Sequence, residues 1–263
     1  MKKIIGIVPA RLAASRFPNK PLKNICGIPM LKHVFERSKL YRNWTYLAIA
    51  TCDQKIHDFS KENNYPSIQT SNKHTRCLDR VYEATKKIQN RLKINDDDVI
   101  VCVQGDEPML KPQMIDSVVR PILKNSKINA TVLGVEINSE DQFYDKNIVK
   151  IVHDVKNRVL YTSRSPIPYC DKFNQKIKAK RVGGIFAFQW KFLKKFFNTP
   201  ESNLEKIESC DSNRICDNGG GQYVSYFKNL PYFSVDTKKD LTKVSRYMKE
   251  DKIFLKIFKK EIN

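Results

Sequence analysis

Residues 8–22, VPARLAASRFPNKPL, are the stretch from which the rest of this sequence is interpreted. They follow the apolar run 4–7, which predicts a buried first strand that opens into a loop. The loop carries three cations among small residues, and such a loop suits a ligand with several negative charges; the cations are Arg11, Arg16 and Lys20. We therefore predict a nucleoside triphosphate site here, although no Walker motif is present. A merely basic surface loop is the alternative, and the position after the first strand favours the ligand site.

The composition of the 263 residues is that of a folded globular protein, with 41% hydrophobic and 29% charged residues. No apolar run approaches the roughly 18–20 residues that span a bilayer. Arg11 interrupts the N-terminal apolar run too early for a signal peptide. Seven cysteines without a CxxC pair favour reduced thiols. We predict a cytoplasmic protein without membrane insertion.

The formal net charge of +20 raises the question of a nucleic-acid partner. The lysines are spread along the whole chain, with no long basic block and no repeat of aromatic and basic residues. We therefore expect no nucleic-acid partner, because attraction of anionic substrates is a simpler use of this charge. A non-enzymatic binder of nucleic acid or of an anionic surface is the alternative from a different class of function.

Apolar runs alternate with helix-like stretches through the first half of the chain. Strands are predicted at 4–8, 46–51, 67–70, 99–103 and 130–137, and helices at 29–39, 53–63, 78–88 and from 112. This rhythm predicts an α/β fold with a mainly parallel, Rossmann-like sheet and helices on both faces. A hairpin within 148–161 and a Lys-rich stretch then predict a small antiparallel lobe. We predict one domain over residues 1–263, with this lobe at about 140–225.

Two aspartates follow strand-like segments. Asp106 comes after the apolar strand 99–103, and a carboxylate at the carboxyl end of a central strand points into the ligand crevice. Asp236 follows the strand-like segment 232–235. Mg²⁺ takes one or two carboxylates together with phosphate oxygens, so both aspartates are candidate ligands. Asp236 is also predicted to be the N-cap of the last long helix, and the two roles are compatible.

Three motifs, in this order, resemble those of the bacterial CMP-Kdo synthetases, the 3-deoxy-manno-octulosonate cytidylyltransferases. They are VPARLAASRFPNKPL, VQGDEP and VDT, and the resemblance covers roughly residues 4–250. The resemblance implies a nucleotidyltransferase that activates a 2-keto-3-deoxy sugar acid, Kdo or a variant, with CTP and releases pyrophosphate. It also implies a role in lipopolysaccharide or capsule biosynthesis, and a homodimer formed through residues 147–188.

The resemblance further implies a role for each matching residue. Arg11, Lys20, Asp106 and Asp236 are the expected catalytic residues, and the two aspartates would hold Mg²⁺. The expected nucleotide-binding residues are Ala10, Arg11, Ser15, Arg16, Lys20, His74, Arg80 and Gln104. The expected sugar-binding residues are Gln104, Arg164 and Glu208. In-line displacement at phosphorus needs charge neutralisation and positioning more than covalent help, so no general base is assigned.

The chain departs from the family pattern at the expected base and sugar ends. The family run HxSGTxR is HTRCLDR here, residues 74–80, so the Ser-Gly-Thr core is replaced. Val182 stands where the family has His, and Phe186 where it has Tyr. Buried hydrogen-bonding groups discriminate sharply between ligands. A variant sugar acid is therefore an open alternative, as is another base or acidic acceptor on the same fold.

Overall fold

The computed structural model describes residues 2–13, 17–228 and 234–262, without the side chains of 259–262. These residues form two compact units. The first unit contains the described residues among 3–94, 101–115 and 229–263, and the second contains those among 1–2, 95–100 and 116–228. The prediction of one domain with a lobe at about 140–225 is not tested by this division and stays a prediction.

Strands and helices alternate through the first half of the chain, as the apolar periodicity predicts. The strands are β1 (Ile4–Pro9), β2 (Asn24–Ile25), β3 (Ile28–Pro29), β4 (Tyr46–Thr51), β5 (Ser67–Gln69), β6 (Val99–Val103), β7 (Ala130–Glu136), β8 (Lys150–His153), β9 (Val159–Ser163), β10 (Lys180–Gln189) and β11 (Tyr223–Phe227). The helices are α1 (Met30–Lys39), α2 (Gln54–Glu62), α3 (Cys77–Leu92), α4 (Pro112–Lys124), α5 (Glu140–Tyr144), α6 (Trp190–Asn198), α7 (Asn203–Glu208), α8 (Asp211–Asp217), α9 (Lys238–Met248) and α10 (Lys252–Ile262).

The first unit is built on a parallel sheet. Its strands lie in the order β6-β1-β4-β5, where β6 contributes residues 101–103. β1 pairs in parallel with β4, and β4 with β5. β1 and β6 are buried throughout, which explains why both are continuous apolar runs rather than alternating ones. The chain segments that follow β1 and β6 line the same cleft at the edge of this sheet.

Gly105 allows the ends of β1 and β6 to approach each other. A Cβ atom at this position would lie 3.0 Å from the Pro9 carbonyl oxygen and 3.7 Å from Cβ of Ala10. A larger residue would therefore push the two strand ends apart. Gly105 therefore allows the segment after β6 to come close to the end of β1.

The second unit contains a mixed sheet. β11 pairs in parallel with β7, whereas β10 is antiparallel to both β7 and β8. β8 and β9 form the predicted hairpin, in which Lys150 pairs with Ser163. At the start of β10, Lys180 and Arg181 pair with β7 on one side and with β8 on the other.

The predicted α/β class, with a mainly parallel sheet and a small antiparallel part, is confirmed. The prediction missed the two-stranded antiparallel sheet β2–β3 and the short helices α5 and α8, which are too short to show a periodic pattern. It also missed α10, which packs against α1; the buried Arg37 of α1 forms an ion pair with Asp251, the residue before α10. In the part of the chain that the structure describes, no helix is long and apolar enough to cross a membrane.

Candidate active site

A cleft of about 270 Å³ opens in the first unit where β1 and β6 end. Its walls come from the segments after these strands, from the start of α3 and from the segment before α9. The predicted site residues that line it are Ala10, Arg11, Lys20, His74, Arg80, Gln104, Asp106 and Asp236. Ser15 and Arg16 lie outside the described residues. All the residues predicted to bind the nucleotide or a metal ion that the structure describes therefore line one cleft. The role of each residue stays a prediction.

Lys20 and two aspartates form the charged centre of the cleft. Lys20 Nζ lies 2.8 Å from Asp106 Oδ2 and 3.4 Å from Asp236 Oδ1, and it also donates to the Val235 carbonyl at 2.8 Å. Burial by itself would lower the pKa of Lys20, but the two carboxylates outweigh it and raise that pKa above its ordinary value. The ammonium group therefore stays charged throughout the neutral range.

The segment before α9 reaches the cleft through contacts with the end of β6. Val235 N donates to the Asp106 carbonyl at 2.9 Å, and Ser234 Oγ donates to Glu107 Oε1 at 2.8 Å. Ser234 and Val235, the described half of the predicted strand 232–235, form no strand; the other half lies outside the described residues.

The prediction that Asp236 caps the last long helix is wrong. The N-cap of α9 is Thr237, which forms a capping box with Asp240. The Thr237 hydroxyl accepts a hydrogen bond from the Asp240 amide here, and the Asp236 carboxylate faces Lys20 instead. The predicted proximity of Asp106 and Asp236 holds, whereas the dual role of Asp236 does not.

The loop after β1 is anchored by Asp53. Asp53 lies at the N-cap of α2, but its side chain makes no capping hydrogen bond. Its Oδ2 instead accepts a hydrogen bond of 2.8 Å from Leu12 N. Arg11 is exposed, and its Nη1 donates to the His74 carbonyl at 3.4 Å. Sequence patterns did not assign this anchoring to Asp53, because a carboxylate before a helix predicts a cap.

The segment before α3 is held by Glu83. Glu83 Oε2 accepts from Ser71 N at 2.8 Å and from His74 Nε2 at 2.5 Å, and Lys87 pairs with the other oxygen. Burial would raise the pKa of Glu83, but the hydrogen bonds from Lys87, Ser71 and His74 outweigh it and lower that pKa to about 2. His74 is therefore fixed by a carboxylate that stays ionised. In the sequence, the only sign of this role is the i,i+4 spacing of Glu83 and Lys87 on a predicted helix.

Arg80 and Gln104 line the deeper part of the same wall. Arg80 is buried, and its Nη1 donates to Thr70 Oγ1 and to the Ser71 carbonyl. Its Nη2 is also buried and has no hydrogen-bond partner among the described residues. Gln104 Nε2 donates to Cys77 Sγ at 3.3 Å. An unpaired buried guanidinium nitrogen of this kind is suited to an acceptor group on a ligand.

The remaining predicted sugar-binding residues, Arg164 and Glu208, lie together in the second unit. Glu208 accepts three hydrogen bonds, from Tyr161 Oη at 2.9 Å, Ser163 Oγ at 2.6 Å and Arg164 N at 2.7 Å. These bonds outweigh the effect of burial and lower the pKa of Glu208. The Arg164 guanidinium donates to backbone carbonyls, and its Nε lies 2.8 Å from the backbone carbonyl oxygen of Glu208.

Two buried side chains that the sequence patterns did not single out support this cluster. Lys150 is fully buried and donates to the carbonyls of Asp145, Ile148 and Arg164 at 2.8–2.9 Å, which uses every proton of its ammonium group. Asn213 accepts from Thr162 N at 3.2 Å and donates to the Thr162 carbonyl at 2.9 Å. The backbone beside Ser163 and Arg164 is therefore fixed from two sides.

Mg²⁺ would fit the charged centre of the cleft. Asp106 and Asp236 already converge on one cationic atom, Lys20 Nζ. Asp106 Oδ1 is buried and has no hydrogen-bond partner among the described residues, so one carboxylate oxygen is available to a cation. Across residues 2–13, 17–228 and 234–262, no three His, Cys, Asp or Glu side chains cluster as a metal site. The residues present fit an ion that takes most of its ligands from phosphate and water.

Lys20, which follows the first strand, faces Asp106 after the neighbouring strand β6 and Asp236 before α9. In an α/β fold, charged groups at the ends of parallel strands are suited to binding a phosphorylated ligand. The chain matches the family model described as "Cytidylyltransferase" over residues 5–230. It belongs to the cytidylyltransferase family and is a nucleotidyltransferase.

Similar proteins cover nearly the whole chain. The 3-deoxy-manno-octulosonate cytidylyltransferase of Saccharophagus degradans is 36% identical over 255 residues, which are 93% of this chain and 98% of that protein. The enzyme of the same name from Haemophilus influenzae (strain PittEE) is 34% identical over the same shares of the two chains. A solved structure of CMP:2-keto-3-deoxy-manno-octonic acid synthetase complexed with CTP superposes with a TM-score of 0.82, at 29% identity, over 95% of this chain and 99% of that one.

These comparisons confirm the resemblance stated from the sequence motifs. They also confirm the enzyme class over the alternative of a non-enzymatic binder, which the net charge had left open. Arg11 and Lys20 are basic residues that line the cleft, and their role in binding a triphosphate stays a prediction.

Proposed function

We propose that this chain transfers CMP from CTP to the anomeric hydroxyl of 3-deoxy-manno-octulosonate and releases pyrophosphate. The observation that carries the proposal is the meeting of Lys20 with Asp106 and Asp236 in a cleft at the ends of β1 and β6. The names of the relatives, and the CTP with which the superposed synthetase is complexed, support the choice of nucleotide and acceptor.

The residues of the cleft supply positioning and charge. Arg11 and Lys20 would neutralise the triphosphate, including the charge that develops on the leaving pyrophosphate. Arg80 Nη2 and Gln104 present hydrogen-bonding groups along the same wall. Asp53 and Glu83 hold the two loops in place and touch no reacting atom. In the second unit, Arg164 would receive the carboxylate of the sugar acid and Glu208 its hydroxyl groups.

Asp106 and Asp236 would hold Mg²⁺. When bound, the ion supplies charge neutralisation at the phosphates and lowers the pKa of the attacking hydroxyl. We further propose a homodimer formed through residues 147–188, a cytoplasmic location, and a product used in lipopolysaccharide or capsule biosynthesis. Light scattering tests the dimer, and titration with EDTA followed by Mg²⁺ or Ca²⁺ tests the cation requirement.

Phe186 favours a second candidate, a variant of the same sugar acid. Its ring is buried in β10 and stacks on Phe188 with 6.5 Å between centroids. Because phenylalanine has no hydroxyl, it offers no hydrogen bond where the family has a tyrosine. The two candidates share the nucleotide and the chemistry and differ only in the acceptor.

The deciding experiment is pyrophosphate release by the purified protein with Mg²⁺, each nucleoside triphosphate in turn and a panel of acidic sugars. Release with CTP and Kdo supports the first candidate. Release with CTP and only an amino or deoxy variant of Kdo supports the second. Equal release with UTP or ATP would contradict cytidine specificity in both.

A further inference from the structure

The first residue of α3 is a cysteine that lines the candidate nucleotide cleft. In the family run HxSGTxR that residues 74–80 resemble, glycine occupies the position of Cys77. The thiol is therefore a chemical group that this chain adds to a wall where the family pattern has no side chain. It lies beside Arg76, which occupies the N-cap of α3 and makes no side-chain capping hydrogen bond.

The surroundings of the thiol favour an anion. Arg80 lies one turn further along α3 in the same cleft wall and is only 3% exposed, yet its Nη2 has no hydrogen-bond partner among the described residues. Arg11 and Arg76 line the cleft as well. The amide dipoles at the start of a 16-residue helix add to these positive charges. Small molecules with carboxylate groups are therefore attracted to the point where the sulfur lies.

The sulfur is also reachable and oriented. Cys77 is partly exposed, and Gln104 Nε2 donates to its Sγ at 3.3 Å. Gln104 stabilises negative charge on sulfur by the same hydrogen bond, and the thiolate is the nucleophile in disulfide exchange. Cys102 and Cys210, in contrast, are buried.

We propose that Cys77 is a modification site at which small anionic disulfides switch nucleotide binding off. The Cys77 sulfur attacks one sulfur of the disulfide, a new S–S bond forms, and the other half leaves as a thiolate while the thiol proton passes to solvent. The attached group then occupies part of the 270 Å³ cleft and excludes the triphosphate. Attack by a small thiol reverses the reaction. The inference rests on the proposed function in one respect, that CTP binds in this cleft, and is independent of the acceptor.

The test treats the full chain with glutathione disulfide and follows the tryptic peptide of residues 77–80, CLDR, by mass spectrometry. CTP at about ten times its dissociation constant should slow the labelling of this peptide about tenfold, since only the unliganded protein reacts. The modified protein should lose CTP binding, and dithiothreitol should restore it. Cystamine, a cationic disulfide of similar reactivity, should label Cys77 more slowly, and added salt should narrow the difference.

Matched variants separate Cys77 from the other cysteines. C77G carries the residue of the family pattern, and C77S keeps the size of the side chain. Treatment with glutathione disulfide should leave the CTP affinity of C77G and of C77S at the value that each variant has before treatment. C170S should lose CTP affinity on treatment, as the wild type does. Equal loss in C77G and C170S, or labelling of residues 77–80 at the same rate with and without CTP, would overturn the inference.

The readouts also separate this inference from the proposed function. CTP binding and peptide labelling require no sugar acid and no turnover. A protein that binds CTP and transfers CMP to no sugar on the panel would contradict the proposed acceptor, and the labelling result would still decide the role of Cys77.

Discussion

Two charged clusters, one in each unit, show two ways of burying polar groups. In the first unit, Lys20 faces Asp106 and Asp236, and Asp106 Oδ1 has no hydrogen-bond partner among the described residues. In the second unit, Lys150 donates three hydrogen bonds and Glu208 accepts three, all within the protein. The first cluster leaves a carboxylate oxygen that a ligand can use, whereas the second cluster already makes several hydrogen bonds for each of these two side chains within the protein.

The difference teaches which substitutions should affect catalysis and which should affect folding. The Asp106 oxygen that has no partner among the described residues contributes little to the stability of the unliganded chain, because its interactions form only on binding. A buried group that is already satisfied leaves unpaired partners behind when it is removed, and this costs folding free energy. The following predictions test that distinction, beginning with the largest expected effect.

The substitution D106N should give the largest loss of activity. It removes one of the two carboxylates proposed to hold Mg²⁺ while keeping the shape of the side chain, so kcat/KM for pyrophosphate release should fall about 10³-fold. D97N, at an exposed aspartate paired with Lys191, is the matched control and should keep its activity. A D106N enzyme with normal turnover would contradict the metal assignment.

The substitution K20Q should lower kcat/KM about 10²-fold, because one cation facing the triphosphate is lost. It also leaves Asp106 and Asp236 facing each other without the ammonium group between them. Mg²⁺ should therefore raise the melting temperature of K20Q more than that of the wild type, which differential scanning fluorimetry measures. K39Q, at an exposed lysine paired with Glu36, is the control. If Mg²⁺ raised the melting temperatures of K20Q and the wild type equally, the idea that Lys20 competes with Mg²⁺ for the two carboxylates would be contradicted.

The substitution N213L should destabilise the second unit by about 2 kcal/mol, because it leaves the buried polar groups of Thr162 unpaired. Urea denaturation measures this loss. The double variant T162V/N213L should recover part of it, since the Thr162 hydroxyl also donates to Asn213 at 2.7 Å. KM for CTP should stay unchanged. A loss below about 0.5 kcal/mol would show that this cluster is not a stabilising one.

The smallest expected effect is a difference in pH dependence. The folded-state pKa of Glu208 lies below its ordinary value of 4.5, so the unfolded chain takes up the proton first as the pH falls. The stabilisation from this carboxylate is therefore full above about pH 4.5 and is lost below it. E208Q should flatten the acid side of the stability curve relative to the wild type. An unchanged acid slope would contradict the lowered pKa.

The contribution of Lys20 to folding stability should depend on pH in the opposite direction. Its folded-state pKa is raised, so its contribution is full below the ordinary value of 10.5 and is lost as the pH rises through the higher folded value. Denaturation curves of the wild type and K20Q on the alkaline side measure it.

Much of the fold could be predicted from local patterns. The bounds of β4 and β6 match the apolar runs 46–51 and 99–103, because buried parallel strands are continuous apolar segments. The short helices α5 and α8 could not be predicted in this way. α8 buries the polar run of Asp211, Ser212, Asn213 and Arg214, where a hydropathy pattern predicts exposure. Asn213 bonds to Thr162, 51 residues away, and Arg214 pairs with Glu205 of the neighbouring helix α7.

The sequence by itself determined the chemistry of the cleft: which cations follow the first strand, which carboxylate ends β6, and which residues depart from the family run at 74–80. The tertiary structure decided what each group does with its neighbours. It brought Asp236 to Lys20, made Asp53 an anchor of the first loop, and placed Gln104 against Cys77. The reason is that a residue type fixes charge and hydrogen-bonding capacity, whereas partners 27–216 positions away in the chain become neighbours only when the chain folds.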